Sequence, residues 1–99
     1  MRKTLVLTGA SRGIGKALAL ELAKAGYNLV LNARREAPLL AALEEVRALG
    51  ARAEMVPGSA GKAEVAEALV AKALELGNFA GFIHNAGVLH PGPLLFELA

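Results

Sequence analysis

Apolar residues along this chain follow two alternating patterns. Short runs rich in leucine and β-branched residues are separated by longer stretches whose apolar side chains recur every three or four positions, the signatures of strands and amphipathic helices. Thr4 to Thr8 is nearly all apolar, as expected of a central strand covered on both faces. From Gly13 to Ala25 the pattern predicts a helix in which Ile14, Ala17, Leu18, Glu21, Leu22 and Ala25 share a mostly apolar face, with Gly26 as a left-handed stop. Leu29-Val30-Leu31 predicts the second strand. Pro38 sits where a first helical turn tolerates it, and the helix runs to Leu49, burying Leu39, Ala42, Leu43 and Val46 before Gly50 closes it. A short, half-polar third strand is expected over Arg52 to Val56. The third helix spans Ala63 to Leu76 with Val65, Leu69 and Ala73 in register, and Phe79 to His84 reads as a fourth strand.

This βαβαβαβ order predicts an α/β protein: a doubly wound parallel sheet with right-handed crossovers and strand order 3-2-1-4. Pro93 to Ala99 reads as the opening of a fourth helix. On that reading strand four is a bare edge with an uncovered apolar face, which invites pairing with another chain. A homo-oligomer or a complementing chain is therefore expected, and the sequence reads as the first part of something larger. Its 99 residues suffice for one domain, 1–99, built on a single core.

Composition narrows the function. The 11 Lys and Arg give a formal net charge of +2 but are scattered, so no basic stripe points to nucleic acid. Cysteine and aspartate are both absent, which removes a disulfide framework and a thiolate metal site and fits a reducing, cytoplasmic setting. His84 and His90 lack supporting ligands nearby, so no metal is expected. The uncharged stretch from Gly77 to Phe96 is broken by Asn78, His84, Asn85, His90 and two prolines, too polar to span a bilayer.

Candidate chemistry concentrates between the first strand and the first helix, at Gly9-Ala10-Ser11-Arg12-Gly13-Ile14-Gly15. Gly9 can take the positive φ of a tight turn, Gly13 lets a phosphate approach the main chain, and Gly15 allows helix one to pack close to strand one. The free N–H groups of the first helical turn and the helix dipole then attract the anion. Ser11 adds a hydroxyl donor. A Walker A loop is the rival that Gly15-Lys16 suggests, but it needs glycine at position 10 and Ser or Thr at 17, and both are alanine.

Thr8-Gly9-Ala10-Ser11-Arg12-Gly13-Ile14-Gly15 resembles the cofactor motif of the classical short-chain dehydrogenases/reductases, and His84-Asn85-Ala86-Gly87 resembles the Asn-Asn-Ala-Gly turn that the family places after strand four. Together the motifs cover the whole chain. The resemblance implies a Rossmann-like fold, a nicotinamide cofactor and interconversion of a carbonyl with a secondary alcohol. It brings Ile14, Asn85, Ala86 and Gly87 into the expected cofactor site. The related extended branch carries a glycine where Arg12 stands here.

The NAD-selective pattern places an acid at the end of strand two; that position is Ala33, followed by Arg34 and Arg35. Without the acid, Arg34 and Arg12 can grip a 2′-phosphate. Two contacts of ~1.5 kcal/mol each would favour NADP(H) over NAD(H) roughly a hundredfold. The plainer reading is that these arginines only solubilise a loop. Where the family has an aspartate for the adenine amino group, the chain offers Ser59, a shorter and uncharged partner.

The family's chemistry resembles a tyrosine acid/base with a lysine four residues on and a polarising serine. The one tyrosine, Tyr27, is followed four residues later by Leu31, and the only serines are Ser11 and Ser59. No residue here is nominated as catalytic, and the carbonyl or alcohol substrate is expected to need a missing C-terminal half. Two functions follow: the NADP(H)-binding part of a short-chain oxidoreductase, inactive by itself, or a non-catalytic nucleotide-binding module that recruits a partner through the edge of strand four.

Overall fold

The computed structural model describes residues 2–85 and the backbone of 96–98. In chain order the elements are β1 (Thr4–Leu7), α1 (Gly13–Lys24), β2 (Asn28–Ala33), α2 (Glu36–Ala48), β3 (Ala53–Pro57), α3 (Ala63–Leu76), β4 (Phe79–Ile83) and β5 (Phe96–Leu98). The sheet runs β3-β2-β1-β4-β5, and its first four strands are parallel. The 3-2-1-4 arrangement expected from the alternating pattern is therefore the one the chain adopts.

Helices on both faces explain why β1 and β2 are buried at every residue. On one face Leu5, Leu7, Leu29, Leu31 and Ala53 pack with Ala19 and Ala23 of α1 and with Leu39, Ala42, Leu43 and Val46 of α2. On the other, Val6 and Val30 meet Leu69 and Ala73 of α3. Leu7, Leu29, Leu31, Leu39 and Leu69 are fully buried, a gain of roughly 1.5–3 kcal/mol for each side chain.

The buried face of α1 differs from the predicted stripe. Gly15, Ala19 and Ala23 are buried, Leu18 and Leu22 pack beside them, and Ile14, Ala17, Glu21 and Ala25 are exposed. Small side chains let the helix axis approach the sheet, so leucines flank the contact instead of filling it. Hydrophobicity alone does not register that preference.

The chain end also departs from expectation. Phe96–Leu98 forms β5, antiparallel to β4 over Gly81–Ile83, and not the first turn of a helix. β4 consequently is not a bare edge. Its unpaired backbone groups gain ladder hydrogen bonds from the nearest available segment, and the alternation Phe96, Glu97, Leu98 suits a strand as well as a helix.

Candidate functional site

β1 has β2 on one side and β4 on the other, so successive crossovers leave it in opposite directions. In open α/β sheets this reversal creates a crevice at the carboxyl ends of the strands. The glycine loop fills the space between the end of β1 and the start of α1 there.

The glycines of the loop divide their work. Gly9 has φ +65°, and a Cβ on it would fall on the Asn85 carbonyl oxygen. A Cβ on Gly15 would fall on the Gly9 carbonyl oxygen and stand 2.5 Å from Asn85 Nδ2. The close approach expected of Gly15 is thus real, but its partner is the loop and Asn85, not strand one. Gly13 has φ +60°, with nothing among the described residues within 4 Å of where a Cβ would stand. Two glycines are required by the protein's own packing, and the third leaves open surface at the mouth of α1.

Among the described residues that mouth is given no acid by its own helix. The N-cap residue, Arg12, makes no side-chain capping bond, and the first turn of α1 contains no acidic residue, whereas α2 and α3 have Glu36 and Glu64 in theirs. The first main-chain bond that opens α1 is donated by Lys16 N–H to the Arg12 carbonyl at 3.3 Å, leaving earlier amides outside the helical ladder. Lys16 turns away from the loop, its Nζ 2.5 Å from Glu45 Oε2 on α2.

Hydrogen bonds fix the loop from both neighbouring strands. Asn85 N–H donates to Thr8 Oγ1 at 3.0 Å, and Asn85 Nδ2 to the Gly9 carbonyl at 3.4 Å. Thr8 N–H donates to the Ile83 carbonyl, and Ala10 N–H to that of Asn32. Asn85 is buried and in this structure props up the loop. Thr8→Val keeps the shape and strands the buried Asn85 N–H; thermal denaturation should show a loss of about 1–3 kcal/mol.

The remaining expected site residues are dispersed around this frame. Arg12 and Arg34 are exposed, Ser11 and Ser59 half-buried, and Ile14 is 70% exposed. Ala33 is buried in the core, and its carbonyl accepts the Gly58 N–H at 2.9 Å. Its side chain therefore faces packing, and Arg34 is the first exposed group beyond β2. Ala86 and Gly87 lie outside the described residues. His84, exposed at the end of β4, has its ring 4.4 Å from that of Phe82. Sequence reasoning missed Thr8 as an acceptor and Asn32 altogether; the available signal was a polar residue on either end of an otherwise apolar run.

Among the described residues no group of three metal-ligating side chains comes together, and no helix is long and apolar enough to cross a membrane. A shallow depression lined by Arg2, Asn28, Gly50, Arg52, Leu76 and Gly77 lies at the opposite end of the sheet.

A parallel sheet reversing beside β1, with a glycine loop at the reversal, places the chain among the Rossmann-like α/β proteins. Within that class it belongs to the short-chain dehydrogenase/reductase family: the short chain dehydrogenase family model matches residues 3–97. It is 39% identical over 90 residues to 3-oxoacyl-[acyl-carrier-protein] reductase FabG of Aggregatibacter actinomycetemcomitans, a match covering 89% of this chain and 37% of that protein. It is also 39% identical over 88 residues to L-rhamnose 1-dehydrogenase (NAD(P)(+)) of Sphingomonas sp. (strain SKA58), covering 87% of this chain and 35% of the relative. Among solved structures, a short-chain type dehydrogenase/reductase from Mycobacterium marinum superposes with a TM-score of 0.78 at 29% identity, covering 89% of this chain and 36% of that one. Acetoin dehydrogenase YohF from Salmonella typhimurium gives 0.76 at 27% identity, with 89% and 37% covered. The chain thus spans less than two fifths of the length of these relatives.

Proposed function

We propose that the crevice binds NADP(H) and serves a short-chain oxidoreductase that interconverts a carbonyl and a secondary alcohol. The observation carrying this reading is that, among the described residues, nothing covers Gly13 at a helix mouth that has no side-chain cap and no acid in its first turn. A diphosphate fits that chemistry: main-chain N–H groups donate to its oxygens, and the helix dipole adds to the attraction. Gly13, Ile14 and Gly15 would hold the diphosphate through their amides, with Ser11 adding a hydroxyl. Arg34 and Arg12, with no acid at Ala33, would favour a 2′-phosphate over a bare ribose hydroxyl. Support for a nicotinamide dinucleotide of either kind comes from a relative whose name carries NAD(P)(+). When bound, the nicotinamide supplies or accepts the hydride.

In this reading the described residues bind and orient the cofactor, and none of them is assigned as the acid/base. Tyr27 precedes β2 at the amino end of the sheet, away from the crevice, and its N–H is tied to the Leu22 carbonyl. On this reading the proton donor is the tyrosine that the family resemblance implies, carried outside these 99 residues on the same or a partner chain.

Calorimetric titration of NADPH and NADH tests the cofactor choice. NADPH should bind tighter, and Arg34→Ala should weaken NADPH about tenfold, the equivalent of ~1.4 kcal/mol, while leaving NADH unchanged. Equal affinities and an inert substitution would remove the NADP assignment.

A further inference from the structure

Asn32 is 2% exposed in a strand whose neighbours are apolar, and burying an amide is costly unless its polar atoms are bonded. Its Nδ2 donates to the Val56 carbonyl at 2.9 Å and the Gly58 carbonyl at 3.1 Å. Its own carbonyl accepts the N–H of Ala10 in the glycine loop at 2.9 Å. One buried residue thus joins two loops at the carboxyl ends of the strands, by its main chain to the loop after β1 and by its side chain to the loop after β3.

The second loop needs such a tie. The β2–β3 register ends at Ala33 and Pro57, and Gly58 turns away with φ +127°. Beyond the ladder, the Asn32 amide and the bond from Gly58 N–H to the Ala33 carbonyl set where Ser59 stands. A valine or leucine at position 32 would satisfy the core but release this turn.

We infer that Asn32 is a positioning residue for the nucleoside half of the cofactor, holding the Gly58-Ser59 turn in the shape that receives the adenine-ribose end. This rests on the NADP(H) reading above and adds a separable claim. The Ala10 bond uses the Asn32 main chain, so a side-chain substitution spares the phosphate loop and loosens only the Gly58-Ser59 turn.

The test uses two probes, adenosine 2′,5′-bisphosphate and inorganic pyrophosphate, titrated into the wild type and Asn32→Leu. The substitution should weaken the bisphosphate about tenfold, the equivalent of ~1.4 kcal/mol, and leave pyrophosphate within twofold. A general loss of structure would weaken both probes together. Parallel losses, or no loss, would overturn the assignment of Asn32, and a wild type that binds neither probe would overturn the cofactor reading with it. A measurement on the wild type covers a variant that fails to fold. The Asn32 side-chain amide resonances should move when the bisphosphate is added and stay in place with pyrophosphate; resonances indifferent to both would contradict the proposal.

Discussion

Gly15→Ala is expected to destabilise the protein by about 3 kcal/mol, the upper end of what an overpacked site costs. The added methyl group would fall on the Gly9 carbonyl oxygen and press on Asn85 Nδ2. Neither atom can swing aside freely, because the Gly9 carbonyl belongs to the tight loop and Asn85 Nδ2 is itself bonded to that carbonyl. In a domain of this size the corresponding fall in Tm is on the order of 15 °C. Gly9→Ala should behave similarly, since it adds the positive-φ penalty to a collision with the Asn85 carbonyl. Gly13→Ala, with open space around it, should cost only about 1 kcal/mol, the price of a left-handed backbone. Three thermal melts would check this order; equal losses at the three glycines would contradict the division of roles.

Gly13→Asp should produce the largest effect on binding. Aspartate tolerates positive φ better than most residues, and nothing among the described residues stands within 4 Å of the new Cβ, so the fold should survive. The carboxylate would occupy the helix mouth, satisfy the free amides itself and repel a diphosphate. NADPH affinity should fall at least about a hundredfold, equivalent to ~2.7 kcal/mol. Gly13→Asn has nearly the same shape without the charge and should lose only about tenfold. Calorimetry on both variants separates charge from bulk, and an aspartate variant that binds like the wild type would place the phosphates elsewhere.

The parts of this architecture legible in the sequence are those governed by periodicity. Leu39, Ala42, Leu43 and Val46 declare the buried face of α2 because large apolar residues there repeat at helical spacing. The nearly unbroken apolar runs of β1 and β2 announce strands covered on both sides, and alternation with helices then dictates the sheet order. α1 was misread because its contact is made by Gly15, Ala19 and Ala23, where smallness and not hydrophobicity decides the fit. Phe96–Leu98 was misread because three residues alternate equally well in either structure, and pairing with β4 is a tertiary fact.

The site divides along the same line. Local geometry made the positive φ of Gly9 predictable, since it lies in a short turn between strand and helix, whereas Gly13 was read only as leaving room for a phosphate and turns out to have positive φ as well. The cross-strand ties were not, because Thr8 meets Asn85 across 77 positions and Asn32 meets Gly58 across 26. Such partners are set by which strands become neighbours. The buried asparagine was overlooked for a simpler reason: β2 runs on to Ala33, so a residue taken to lie past the strand is inside it.

The most direct test of phosphate binding by the opening turn of α1 is a ¹⁵N-resolved NMR titration of the chain with NADPH. The account predicts that the amide signals of Gly13, Ile14 and Gly15 shift most strongly and saturate together, while those lining the depression around Arg2 and Arg52 stay put. If NADPH saturates the protein while those three amides keep their free positions, the helix mouth is not where the cofactor is held.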